Sequence, residues 1–192
     1  MVQNQWVSHM NRKVEVVPYD PNWVYAFQAE ADEIRRILGQ EVVAVHHIGS
    51  TAIPNLSAKP IVDLLVVVRD IEKVDAFNER ITQLGYMPKG ENGIPGRRYF
   101  IKGDEVHRTH HTHIFQTGHP HIDRHLSFRD YLIAHPEDAL PYGRLKQELA
   151  CRFPTDIDGY VAGKDGFIEE IDRKAQAWKG RHALPSHAIA LQ

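Results

Sequence analysis

The residues with the most chemical content lie between positions 47 and 63: His47-Ile48-Gly49-Ser50-Thr51, then Lys59-Pro60-Ile61-Val62-Asp63-Leu64. Glycine lets a ligand approach the backbone closely. Ser50 and Thr51 bring hydroxyls and free N–H groups, the donors that an anionic phosphate needs. Lys59 adds a point charge. Asp63 sits near the start of an apolar run, where a carboxylate must be paired, neutralised or bound to a metal, because an isolated buried charge is costly. A plain strand-ending turn, with Asp63 in an ion pair with Lys59 or an arginine, would account for each part separately. The combination of Gly-Ser, twelve residues and then a carboxylate inside an apolar strand is more specific than either part.

A second cluster is made of histidines. His107, His110, His111 and His113 fall within seven positions of a chain that holds 13 histidines. On a strand, i and i+2 share a face, so His111 and His113 stand together and His110 points the other way. Two imidazoles on one face suit Zn²⁺, Mn²⁺ or Ni²⁺. They serve equally as hydrogen-bond donors to phosphate, as an acid–base pair, or as ordinary core and surface polar groups. His121 and His125, at i and i+4 on an expected helix, have a spacing that could bind metal, but read more simply as a solvated face.

Lysines on apolar helical seams form the third group. Tyr142, Leu145, Leu149 and Phe153 make one stripe with Lys146 at its edge; Tyr160, Lys164, Ile168 and Ile171 make another with Lys164 inside it. Such a lysine either snorkels to solvent or reaches a buried anion. Arg129-Asp130 reads as a structural ion pair, and Arg97 and Arg98 as an exposed hairpin edge.

These residues need elements to hold them. Asp20-Pro21 starts a helix that carries apolar residues at helical spacing to Gly39. Val42 to Ile48 reads as a strand, and 49–58 as a loop or short helical turn. Ile61 to Val68, almost continuously aliphatic, reads as a central strand covered on both faces. Asp70 caps a helix that ends at Gly85. Strands follow at 98–101 and 109–115, joined through Gly103-Asp104, and helices at about 122–134, 141–153 and 158–178, with Gly163 and Gly166 weakening the last. The expected fold class is α+β: a mixed or antiparallel sheet flanked by helices, with a helical C-terminal half. The domain spans 13–180, with tails at 1–12 and 181–192.

Composition excludes several classes. The 192 residues are 42% hydrophobic and 25% charged, enough for a core without staples, and not the profile of a disordered or coiled-coil chain. A net charge of −2 gives no footprint for duplex nucleic acid, though it allows a local basic pocket for a phosphorylated small molecule. One cysteine, Cys151, precludes an intrachain disulfide. The longest aliphatic run, Leu64 to Val68, is far below the ~20 residues of a membrane span. The expectation is a soluble, cytoplasmic protein without a membrane partner.

The chain resembles the GrpB-like family of the nucleotidyltransferase superfamily, which has a polymerase-β-type core. The resemblance rests on His47 to Pro54, Lys59 to Asp63, His111-Thr112-His113, Phe128 to Leu132 and Leu145-Lys146, and runs from about Val14 to Trp178. It implies a glycine-serine turn that grips nucleotide phosphates, two carboxylates one residue apart that hold a divalent metal, and a third carboxylate on a later strand. Gly49 and Ser50 match the turn and Asp63 the first carboxylate. The second position falls on Leu65, which ligates nothing. The 109–115 strand stands where the third belongs, so a mixed set of Asp63, His111 and His113 would suit a transition metal (Zn or Ni) better than Mg or Mn. The implied function is binding of a nucleoside triphosphate or related phosphorylated ligand with a divalent metal and transfer of a nucleotidyl group to an acceptor. Asp63 and His113 would be catalytic, and Gly49, Ser50, Thr51, Lys59, Lys146 and Lys164 would bind phosphate. Leu65 keeps open a non-catalytic nucleotide or coenzyme module, and the histidines a metal-dependent hydrolase. Proteins resembling this family also occur fused to the enzyme that completes coenzyme A synthesis, which makes a coenzyme A precursor a reasonable ligand.

Overall fold

The strand that carries Asp63 organises the molecule. In the computed structural model, which describes residues 13–104 and 106–182, β2 (Val62–Val68) is buried at every position except Asp63. Strand β1 (Val42–Ile48) pairs with it antiparallel, and β5 (Arg108–Gln116) pairs with it in parallel on the other side. Antiparallel β4 (Arg97–Gly103) and the short β3 (Tyr86–Pro88) complete a mixed sheet of order β1-β2-β5-β4-β3. A parallel neighbour needs a crossover, which the chain between β2 and β5 supplies.

Alternation along β2 assigns its two faces. Leu64, Val66 and Val68 pack with Ile114 and Phe100 against Ala31, Ile34, Ile37 and Leu38 of helix α1 (Asn22–Leu38). Asp63 and Leu65 face the other way. There Leu65 packs with Ile48 and Phe115 against Ile122 and Leu126 of α3 (Pro120–Ala134). Helices α4 (Pro136–Arg152) and α5 (Ile157–His182) pack beside α3 through a core that includes Tyr131, Leu132, Tyr142 and Ile171. The sheet is thus sandwiched between α1 on one side and the C-terminal helices on the other, the α+β arrangement with a helical C-terminal half expected above.

Local chemistry explains most boundaries. The Asp20 carboxylate accepts the Asn22 N–H at 2.9 Å at the start of α1, and Gly39, at φ 55°, ends it. Asp70 likewise accepts the Glu72 N–H at 3.0 Å. The helix expected from there is instead a 3-10 segment (Glu72–Phe77) followed by α2 (Asn78–Gln83). The tighter winding keeps Ile71 and Val74, three residues apart and both buried, on one side. β3 was absent from the expected elements because three residues carry no alternation. Helix α4 begins at Pro136 rather than Pro141, since Pro136 occupies the first-turn position and Pro141 is held inside the helix. The last helix is longer than expected and includes 181 and 182, where a tail was anticipated. Gly163 does not break it: a Cβ there would collide with Leu149, so the missing side chain lets α4 and α5 approach. The tail at 1–12, and the remainder of the other at 183–192, lie outside the described residues. Among the described residues no helix is long and apolar enough to cross a membrane.

Because Leu64 is 0% exposed at the centre of the sheet, Leu64→Ala is expected to cost about 3 kcal/mol of unfolding free energy. Urea denaturation measures it, and a loss below about 1 kcal/mol contradicts a central position for β2.

Candidate functional site

Where β1 ends, the chain turns sharply against β2. Gly49 has φ 70°, and a Cβ on it would collide with the Asp63 carboxylate, so this turn requires glycine twice over. A 3-10 turn, Ser50–Ala52, follows. The Thr51 hydroxyl donates to the Ile61 carbonyl at 3.5 Å and lies 3.0 Å from His47 Nε2, which binds the turn to both strands. His47 itself stacks on Phe27, and Arg129 donates to its carbonyl at 2.9 Å. The anticipated Arg129–Asp130 pair is present at 2.7 Å. Backbone hydrogen bonds between Val17 and Ala58 secure the loop just before Lys59.

Turn and strand open onto one cavity of about 290 Å³ between the sheet and the C-terminal helices. From the sheet side it is lined by Gly49, Ser50, Thr51, Lys59, Asp63 and His111. From the helices come Arg124, His125, Phe128, Tyr142, Lys146, Tyr160 and Lys164. All six residues assigned to phosphate binding therefore meet at one place. The Tyr142 hydroxyl pairs with Ser50.

Asp63 is bound into the wall rather than left free. The parallel register sets it beside His111, whose Nδ1 is 3.2 Å from Asp63 Oδ1. Burial pushes the Asp63 carboxyl up, but the hydrogen bond and charge of His111, then the charges of His113 and Lys59, outweigh it and hold the group below the usual carboxylate range.

His113 is elsewhere. It does not line the cavity: one step along β5 its register partner is Leu65, and its Nδ1 lies 3.4 Å from Arg97 Nη1. Its ring packs against Tyr99 and His125. Burial pushes its imidazole down to about 3. The expected three-ligand set of Asp63, His111 and His113 is therefore not assembled. Among the described residues no three His, Cys, Asp or Glu side chains are placed to hold a metal ion. The donor set does not fit a two-metal centre either. Leu65 is 0% exposed among aliphatic and aromatic neighbours, and Asp63 is the one carboxylate that β2 offers.

The lysines differ from one another. Lys164 lies over the Tyr160 ring at 4.5 Å, and Lys59 approaches the same ring at 5.3 Å. Burial pushes the Lys164 ammonium down, against the pull of Asp63 and Asp165. Lys146 does not snorkel: it is 2% exposed, its Nζ has no hydrogen-bond partner, and the Tyr142 ring lies 4.5 Å away. Burial, then the Lys164 and Lys59 charges, push its amine down to about 7.

Several site residues were not singled out by sequence. His125 was read as part of a solvated face, yet α3 turns it into the cavity. Its partner in that reading, His121, lies half-buried by Phe115. Arg124 lines the cavity while paired with Asp172 at 2.6 Å. Arg97, expected at an exposed edge, is buried and donates to the Glu91 and Asn92 carbonyls. Arg98 pairs with Asp75. His110 points to the α1 face, near Glu30 and Lys102.

Residues 13–174 match a family model described as GrpB protein. The chain belongs to the GrpB family. A crystal structure of GrpB from Enterococcus faecalis superposes with a TM-score of 0.82 at 46% identity, over 85% of this chain and 99% of that one. The UPF0157 protein YqkA of Bacillus subtilis is 50% identical over 168 residues, which are 88% of this chain; the chain spans about half of YqkA (49%). A dephospho-CoA kinase of Mycolicibacterium paratuberculosis is 28% identical over 189 residues, 86% of this chain and 46% of that protein.

Two predictions follow from the geometry of this GrpB-family site. Burial is the main force that depresses His47 and His125 to about 4 and His113 to about 3, against ~6.5 in an unfolded chain. Below that value the unfolded state binds more protons than the folded one, so stability is lost as pH falls from about 6.5 toward 4, at up to about 1.4 kcal/mol per pH unit for each histidine. Urea midpoints at pH 7 and pH 5 test this, and equal midpoints refute it. Leu65→Asp, which restores the missing carboxylate, buries a charge among Ile48, Phe115 and Leu126. It is expected to lower unfolding free energy by about 3 kcal/mol or more, read by the same titration.

Proposed function

We propose that this chain binds the phosphate end of a nucleotide or a related phosphorylated small molecule in the cavity between β2 and the C-terminal helices. The observation that carries the reading is the convergence of Lys59, Lys146 and Lys164 with the Gly49-Ser50-Thr51 turn on one pocket. The backbone of a glycine turn suits close approach of phosphate oxygens, and the lysines bring positive charge to the same cavity. Phe128, Tyr142 and Tyr160 give the same cavity aromatic walls for the organic part of the ligand. Membership in the GrpB family and the superfamily resemblance point to nucleotides. The dephospho-CoA kinase relative adds dephospho-CoA, an adenine nucleotide joined to pantetheine through a pyrophosphate.

Nucleotidyl transfer with a divalent metal at Asp63 is the further step that the resemblance implies. One carboxylate and a buried leucine in the second position favour ligand binding over two-metal transfer. Any transfer by these residues would rest on positioning and on charge stabilisation by the lysines.

Titration calorimetry with ATP, GTP, CTP, UTP and dephospho-CoA, each with and without Mg²⁺ or Mn²⁺, tests the reading. At least one ligand is expected to bind, and Lys164→Ala is expected to weaken it about tenfold or more, as loss of a charge-assisted contact does. Folded protein that binds none of them overturns the proposal.

A further inference from the structure

Lys146 is held where its amine meets an aromatic ring and no hydrogen-bond acceptor. It lies one helical turn after Tyr142 on α4, so its stem runs along that ring into the cavity instead of outward to solvent. The residue is 98% buried and its Nζ meets no acceptor. An ammonium there would have the Tyr142 ring beside it and no oxygen to accept from its three N–H groups.

The groups around the cavity do not repair this. Lys59, from the loop before β2, and Lys164, from α5, are cations and repel a third. Arg124 of α3 is paired with Asp172. Asp63 of β2 is held by His111 and balances Lys59 and Lys164. His125 of α3 is kept neutral by burial. Burial also pushes the Tyr142 and Tyr160 hydroxyls up, so neither offers a negative charge. An amine in these surroundings gives up its proton near neutral pH, well below the usual lysine range, unless an anion is present.

We propose that Lys146 takes up one proton when a doubly charged phosphate end enters the pocket, which makes the site selective for phosphate monoesters and polyphosphate ends over singly charged diesters. The inference rests on the phosphate-binding reading above and adds the charge state of the ligand. A dianion supplies the counter-charge that the protein omits; a diester supplies half as much and leaves the proton uptake weakly rewarded. The proton comes from solvent and joins the Nζ lone pair, and no covalent bond to the ligand forms. Burial and the two neighbouring cations push the Lys146 amine down to about 7 in the free protein, and a bound dianion pulls it back up. Between the two values affinity falls about tenfold for each unit of rising pH; well below the first, the amine is already charged and binding takes up no proton.

Inorganic sulfate is a suitable probe, because its dianion does not titrate near neutral pH. Calorimetry on the full chain at pH 6 and pH 8.5, each in two buffers of different ionisation enthalpy, counts the protons exchanged. Sulfate is expected to bind with uptake near one proton at pH 8.5 and near none at pH 6, and about tenfold or more weakly at the higher pH. Dimethyl phosphate, a singly charged diester, is expected to bind more weakly than sulfate at both. Lys146→Met, close in length and uncharged, should stay folded and lose the uptake; Lys146→Arg, permanently charged, should bind sulfate without it. Sulfate binding without uptake at pH 8.5, uptake that survives in Lys146→Met, or equal binding of dimethyl phosphate overturns the proposal. If a nucleotide binds and sulfate does not, this inference fails while the phosphate-binding reading stands. If neither binds, both fail.

Discussion

The Asp63 carboxylate lies against the backbone of Gly49 with no room for a side chain between them, and the site depends on that contact. It joins the end of β1 to the start of β2 at the one position of β2 that is not fully buried. Only a glycine can make the turn, because the backbone is left-handed there and the carboxylate fills the place of a Cβ. The turn in turn sets Ser50 against Tyr142 of α4 and buries Thr51, whose hydroxyl donates to the Ile61 carbonyl. On its other side Asp63 is oriented by His111, and that pairing exists because β5 runs parallel to β2 in a register that matches 63 with 111. A shift of one residue would send the carboxylate's partner to the opposite face of the sheet.

Buried charge is treated differently outside the cavity and within it. On the α1 face, Lys102 donates to the buried Glu30 at 2.7 Å, and the Thr112 hydroxyl donates to Tyr86 at 3.2 Å. On the cavity's own face but beside it, buried Arg97 gives its protons to two carbonyls. Each of these groups has a partner within the protein, although the second Glu30 oxygen has none. In the cavity, Lys146 is buried against the Tyr142 ring and its Nζ has no acceptor. Folding tolerates an unpartnered polar group at a cost of about 1–3 kcal/mol. A neutral amine lowers that cost relative to a charged one, which is how α4 can carry a lysine on its apolar seam.

Much of this could be read from residue order, and the exceptions share a cause. The Asp20 cap, the aliphatic run of β2 and the glycine-serine turn are local patterns, and local hydrogen bonding or burial decides each of them. The separation of His113 from Asp63 is not local. Residues 111 and 113 do lie on one face, but which of them meets Asp63 depends on strand register, and Arg97 arrives from β4 to occupy the other. Lys146 posed a choice between solvent and a buried anion that its own helix could not settle. α5 settles it by packing close to α4 where Gly163 has no side chain. His125 is the same case on α3: its spacing from His121 fits a solvated face, and only the docking of α3 onto the sheet turns it inward.

Leu65 gains meaning from this charge distribution. A pair of divalent ions needs anionic oxygens, and the cavity holds one carboxylate among Lys59, Lys146 and Lys164. A cation entering alone would meet amines of like sign and a single carboxylate already hydrogen-bonded to His111. A cation carried by a polyphosphate would not, because the ligand brings oxygens for the metal and charge for the lysines together. The side chain that would have supplied a second carboxylate instead closes the aliphatic layer with Ile48 and Phe115 beneath α3. That layer holds the sheet and the helices at the distance that leaves the cavity open. In this chain the position contributes to the shape of the pocket, and negative charge has to arrive with whatever fills it.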